Sequence, residues 1–143
     1  MPRFAVEAHD LVVEILRDAL DPGVTVRVSI PDNVPDLLPL VVARRVPAGG
    51  SPWPQFWDET LFNVQVWADA DGSDDAWRVA SDLADQARGA LWGAWRAQTV
   101  TAAGSIAQIR ESLAPVPMPD VDLPFLGRYV ATYALKLRSP RPS

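Results

Sequence analysis

The sequence predicts an α+β fold: a single domain with one mixed or antiparallel β-sheet, packed by two main helices in the order α-β-β-β-α-β-β-β. Three observations predict it. Two segments, 4–20 and about 74–96, repeat apolar residues at helical spacing. Three others, 24–30, 60–68 and 128–138, alternate apolar and polar residues as half-buried strands do. The chain has 143 residues, 48% of them apolar and 22% charged, which suits one domain sharing one sizeable core.

In the first segment Ala8, Leu11, Val12, Ile15, Leu16 and Ala19 form a stripe, with Glu7, Asp10, Glu14, Arg17 and Asp18 opposite. Asp21-Pro22-Gly23 ends that helix, because proline cannot continue it and glycine turns it. Val24, Val26, Val28 and Ile30 then share one face of a strand. PDNVPD (31–36) is a turn. LPLVVARR reads as a second strand over 38–45, with Pro39 confined to its beginning or to an edge. Residues 44–57, RRVPAGGSPWPQFW, are a loop in which three prolines remove backbone donors and Gly49-Gly50 loosens the chain. In the third strand Phe62, Val64, Val66 and Ala68 face one way and Leu61, Asn63, Gln65 and Trp67 the other.

DADGSDD (69–75) leads into the long helix, with Ser73 or Asp71 as its cap and Asp74 and Asp75 at its positive end. Its stripe of Ala76, Val79, Ala80, Leu83, Ala84, Ala87, Ala90, Leu91 and Ala94 is small enough to lie close to a sheet. Trp77 and Trp95 flank the stripe, and Trp92 falls on the polar side among Arg78, Asp85 and Arg88. Segments 98–102 and 105–113 read as strands joined near Ala103-Gly104. A proline-rich loop, APVPMPDVDLP, precedes the last strand, where Tyr129, Ala131, Tyr133, Leu135 and Leu137 share a face. The domain therefore spans 1–138, and 139–143 reads as a flexible tail.

Composition removes several classes of chemistry. With no cysteine there are no disulfides, thiolate nucleophiles or Cys-ligated zinc, and one histidine, His9, does not make a histidine-based zinc site. No apolar run approaches the ~20 residues of a membrane span. Glu7 and Asp10 interrupt what would be a signal peptide's apolar stretch, so the expectation is a protein kept in the cytoplasm or packed into something assembled there. Net charge is −5, and the longest basic run is Arg44-Arg45, not the basic face of a phosphate-gripping protein. Arginine occurs twelve times and lysine once, a codon signature of a GC-rich genome.

The remaining polar clusters read as structural. His9 has no Ser or Asp partner at a recognisable spacing and sits beside the first helix's stripe. DADGSDD resembles a calcium loop only superficially: counted from Asp69, Gly72 is fourth, and the twelfth position is Ala80 rather than a bidentate Glu. Gly49-Gly50 lacks the surrounding pattern of a phosphate cradle. Asp58 and Glu59, adjacent on a strand, point in different directions and do not share a proton. No catalytic residue, metal ligand or cofactor site emerges.

The aromatics stand apart. Trp53, Phe56 and Trp57 occupy a proline-bounded loop next to Arg44 and Arg45. They either fold back as a lid on the core or meet a partner, since aromatics and arginine are enriched at interface hot spots. Trp92 poses the same choice from a polar helix face. Arg44, Arg45, Trp53, Phe56, Trp57 and Trp92 are thus the candidate partner interface.

The chain also resembles the tail-terminator (tail-completion) proteins of long, non-contractile-tailed phages. The resemblance rests on EAHDLVVEILRDAL followed by VTVRVSIP, on VVARRVPAGG, on DETLFNVQVWADADGSDDAWRVASDLADQARGAL, and on GRYVATYALKLR, in that order across nearly the whole chain. It implies a non-enzymatic virion protein that forms a hexameric ring at the head-proximal end of the tail tube, halts tube polymerisation and offers a surface for head-tail joining. The implied partners are copies of itself, the major tail tube protein, head-tail connector proteins, and genomic DNA that passes through without sequence-specific binding; no cofactor or membrane is implied. An acidic subunit suits such a ring, because a neutral or acidic channel lets DNA slide. The alternatives are a head-completion or connector-adaptor ring protein of the neck, or a small host-encoded binding module.

Overall fold

The two strands with the cleanest alternation lie side by side at the centre of the sheet. In the computed structural model, which describes residues 8–46 and 57–139, β3 (Trp57–Ala68) and β6 (Gly127–Arg138) pair antiparallel without a break, from Trp57↔Arg138 to Ala68↔Gly127. Around them lie α1 (Ala8–Ala19), β1 (Thr25–Arg27), a 3-10 turn (Val34–Leu37), β2 (Leu40–Val46), α2 (Ala76–Arg96), β4 (Val100–Thr101) and β5 (Gly104–Pro117). The six strands form one sheet in the order β1-β2-β3-β6-β5-β4, antiparallel except for β1 beside β2. The element order is the one the sequence predicts.

Both helices cover the same sheet face. Leu11, Val12, Ile15 and Leu16 of α1 and Ala80, Leu83, Ala84, Ala87 and Leu91 of α2 pack on Val41, Ala43, Phe62, Val64, Val66, Tyr133, Leu135 and Leu137. Phe62 and Tyr133 are directly opposite one another in the ladder and almost fully buried. The alanine stripe lets α2 approach closely. At its start the approach is tightest: a Cβ on Gly127 would sit 2.2 Å from the Ala76 carbonyl oxygen and 2.9 Å from the Trp77 Cα. Only glycine fits there.

Four local expectations change. The first strand is three residues long, and Val28 and Ile30 are exposed. β1 runs parallel to β2, so the chain must leave the sheet and travel back before Leu40 can pair with Thr25. The cap of α2 is Asp75, whose carboxylate accepts the Arg78 backbone N–H at 2.8 Å, while Asp71 and Asp74 bond to each other's backbone. β5 continues to Pro117 instead of stopping at 113, with irregularities between Ile106 and Gln108 and on either side of Leu113. Its two prolines fall where no outer strand needs their missing N–H groups. β3, for its part, begins at Trp57, three residues before the alternation becomes clear.

The second sheet face is covered only at one end. There Trp67, 1% exposed, packs with Val34, Leu40, Val42 and Leu126, flanked by Leu37, Leu38 and Leu123. Its indole N–H donates to Asp120 at 3.2 Å, and the Arg128 guanidinium lies 5.3 Å from the ring centroid. This small core ties the 3-10 turn and the β5–β6 loop to the sheet.

Candidate interaction surfaces

The end of the sheet where β2 finishes and β3 begins carries the first group of predicted contact residues. Arg44 is exposed on the helix-free face. Arg45, one residue on, points to the helix side: its Nη2 and Nη1 meet the two Asp58 oxygens at 2.9 and 2.8 Å. Its backbone N–H donates to His9 Nε2 at 3.1 Å, and the imidazole stands edge-on to Phe62, centroids 5.4 Å apart. His9 and Arg45 therefore hold α1 against the sheet. Asp58 is buried and Glu59 exposed, on opposite faces as adjacent strand residues must be. Trp57 opens β3 in register with Arg138. Trp53 and Phe56 lie outside the described residues.

Trp92 is half-buried and engaged within the chain. Its Nε1–H donates to Glu111 Oε1 at 3.1 Å, and its ring stands edge-on to Trp95 at 5.7 Å. Arg88 grips the same carboxylate with Nε on Oε1 and Nη2 on Oε2. Trp95 donates to the Ala107 carbonyl at 3.1 Å. One side of α2 thus pins β5, using residues whose helical spacing also leaves part of each indole open.

Beneath this contact Tyr133 is buried beside Glu111. Burial first, and the Glu111 charge second, raise the pKa of its phenol well above that of a free tyrosine. A raised folded-state pKa means stability that is complete below about pH 10, where the unfolded phenol begins to ionise, and that declines as pH rises further. Thermal melts of the wild type and Tyr133→Phe across alkaline pH should diverge: the wild type loses about 1.4 kcal/mol per pH unit above pH 10 from this group, and the variant is spared that loss. Parallel curves would show that Tyr133 ionises freely in the folded state.

The opposite end, where β3 finishes and β6 begins, is acidic. Asp69, Asp71, Asp74 and Asp75 are exposed in the turn before α2, and Asp120 and Asp122 follow in the β5–β6 loop. That loop also exposes Met118, Val121 and Phe125, the last two at 91% and 60%. Sequence reading treated it as a proline-rich connection. The signal was present in VDLPF, an aromatic and aliphatic pair in a proline-bounded segment, the same criterion that singles out 44–57.

A cleft of about 720 Å³ is lined by Glu59, Gln108, Arg110, Lys136 and Trp95 among others. It sets one carboxylate against two cations and holds no nucleophile poised beside a base. Among the described residues no His, Asp or Glu side chains group as a metal site, and no helix is long and apolar enough to cross a membrane.

A sheet backed by two helices, with an acidic end, an exposed apolar loop and aromatic side chains half-open on a helix, is the build of an assembly subunit that works through its surfaces. Residues 4–142 match the family model described as phage tail termination protein, and the chain belongs to that family. No curated protein matches it. Membership makes it a structural protein of a phage tail, located in the virion, with contacts to other tail and head proteins.

Proposed function

We propose that copies of this chain close into a hexameric ring on the head-proximal end of the tail tube, where the ring stops tube polymerisation and provides the surface for head-tail joining. The observation that carries the reading is the family match over nearly the whole chain, residues 4–142. The surfaces support it. A ring subunit needs heterologous contacts to two neighbours and two further faces for unlike partners, and this subunit has two chemically unlike ends. The partners are further copies, the major tail tube protein and the head-tail connector proteins. Arg44, Arg45, Trp53, Phe56, Trp57 and Trp92 belong to the proposed contact surface.

Electron microscopy of purified tubes with and without the protein tests this directly. Rings on one end of the tubes are the expected result; uncapped tubes would refute it. In infected cells, loss of the protein should give tails of uncontrolled length, whereas normal tails beside separate heads would identify a neck adaptor instead. Replacing Trp53 and Trp57 together with alanine should leave the melting temperature in place and abolish capping. Unfolding would make the pair a lid on the core.

A further inference from the structure

The net charge of −5 averages over two unlike surfaces. Carboxylates crowd the end described above. On the helix-free sheet face, cross-strand register instead brings Arg44, Arg110, Lys136 and Arg138 to one side, across β2, β6 and β5, with Glu59 the carboxylate among them. Arg44, Arg110 and Arg138 are exposed, and among the described residues their side chains make no ion pair or hydrogen bond. Between them in register lie the hydrogen-bonding groups Asn63, Thr132, Gln108 and Ser105, together with the apolar Leu61 and Ala134. The exposed large hydrophobics in register with this face, Leu113 and Val100, lie on β5 and β4, toward one edge of the sheet.

The charge of the part of this face beyond Arg44 and Trp57 points to one kind of partner. Protein interfaces deplete charge at their centre and fill it with aromatic and aliphatic side chains. Surfaces that meet nucleic acid are polar and strongly positive. We propose that the helix-free sheet face contacts the phosphate backbone of duplex DNA without reading its sequence. The inference rests on the reading of the chain as a ring around the passing genome, and it replaces the neutral or acidic channel expected from net charge alone. With about three guanidiniums per copy, each contact is weak and salt-labile, so the duplex is centred without being gripped.

The test is fluorescence anisotropy of a labelled random-sequence duplex titrated with the purified full chain over a range of salt. Wild type should bind at low salt (~25 mM) and release as salt rises, with equal affinity for unrelated sequences. The double variant Arg110→Gln, Arg138→Gln should bind about tenfold more weakly at low salt, with a log-log salt slope shallower by roughly 1.8. Arg78→Gln, an exposed change on the helix side, should behave as wild type. If the double variant melts early, Arg110→Gln and Arg138→Gln measured singly should each remove about half of the slope change. Equal binding by wild type and double variant, or no binding by wild type at low salt, overturns the proposal. Competition by polyglutamate as effective as by unlabelled DNA also overturns it, in favour of an acidic protein partner. Capping measured in parallel separates the two readings. Wild type that fails to cap tubes refutes the ring, whereas capping with DNA binding indifferent to the two arginines refutes only the contact face.

Discussion

Trp67→Ala should destabilise the domain by about 3–5 kcal/mol, the range for deleting a buried indole. Trp67 is 1% exposed and sits on the sheet face that the helices do not cover. Its neighbours Val34, Leu40, Val42 and Leu126 have no other core to join, so the cavity cannot be closed by repacking against α1 or α2. The loss should also be directional. Without the indole, Asp120 loses its donor and Arg128 its ring, and Leu123 and Leu126 lose their anchor. Urea unfolding gives the overall cost, and amide exchange should show 118–126 opening first. Trp67→Phe keeps most of the apolar contact and forfeits the hydrogen bond, at about 1–2 kcal/mol. A cost below about 1 kcal/mol for the alanine variant would mean that the second core contributes little.

The second large effect is expected from one methyl group. Gly127→Ala places a carbon against the Ala76 carbonyl and the Trp77 Cα, backbone atoms that a side-chain rotation cannot move aside. Either α2 lifts at its first turn or β6 shifts out of register with Ala68. The cost should be about 3 kcal/mol, the upper end for overpacking a dense site. Thermal or urea unfolding measures it. A near-neutral result would show that the start of α2 is loosely held. Gly89 and Gly93 on the same helix meet nothing within 4 Å of an added Cβ, so Gly89→Ala is the internal control and should be neutral to slightly stabilising.

The contrast between these glycines shows what sequence could and could not convey. Periodicity reports one residue's relation to its own element. It therefore found α1, α2, β3 and β6, whose faces are set by a single dominant contact each. It also set Asp58 and Glu59 on opposite sides of the chain, where the argument was local. It could not reveal that Gly127 touches a helix start some fifty residues away in the chain. The first strand was overread because Val28 and Ile30 continue the alternation after the chain has left the sheet. Trp67 was placed on the face opposite Phe62, Val64 and Val66, and its burial there could not be read because its cover comes from the 3-10 turn and the β5–β6 loop, segments with no periodicity. Arg45 and Trp92 were visible as residues that needed an explanation, yet their partners Asp58 and Glu111 follow only from the register of distant strands.

The edges of the sheet have a consequence of their own. β1 offers three residues, and β4 two. Beyond Ser105 the outer rim of β5 is broken by register shifts and by Pro115 and Pro117, and the Trp95 indole occupies the Ala107 carbonyl. Among the described residues, then, both rims are short or irregular, which disfavours addition of another copy backbone to backbone. In the proposed ring, contacts between copies then fall to side chains, whose heterologous geometry closes when its rotation does, where a strand ladder has no last rung. In the ring proposed above, the backbone itself thus works against strand-by-strand addition of further copies.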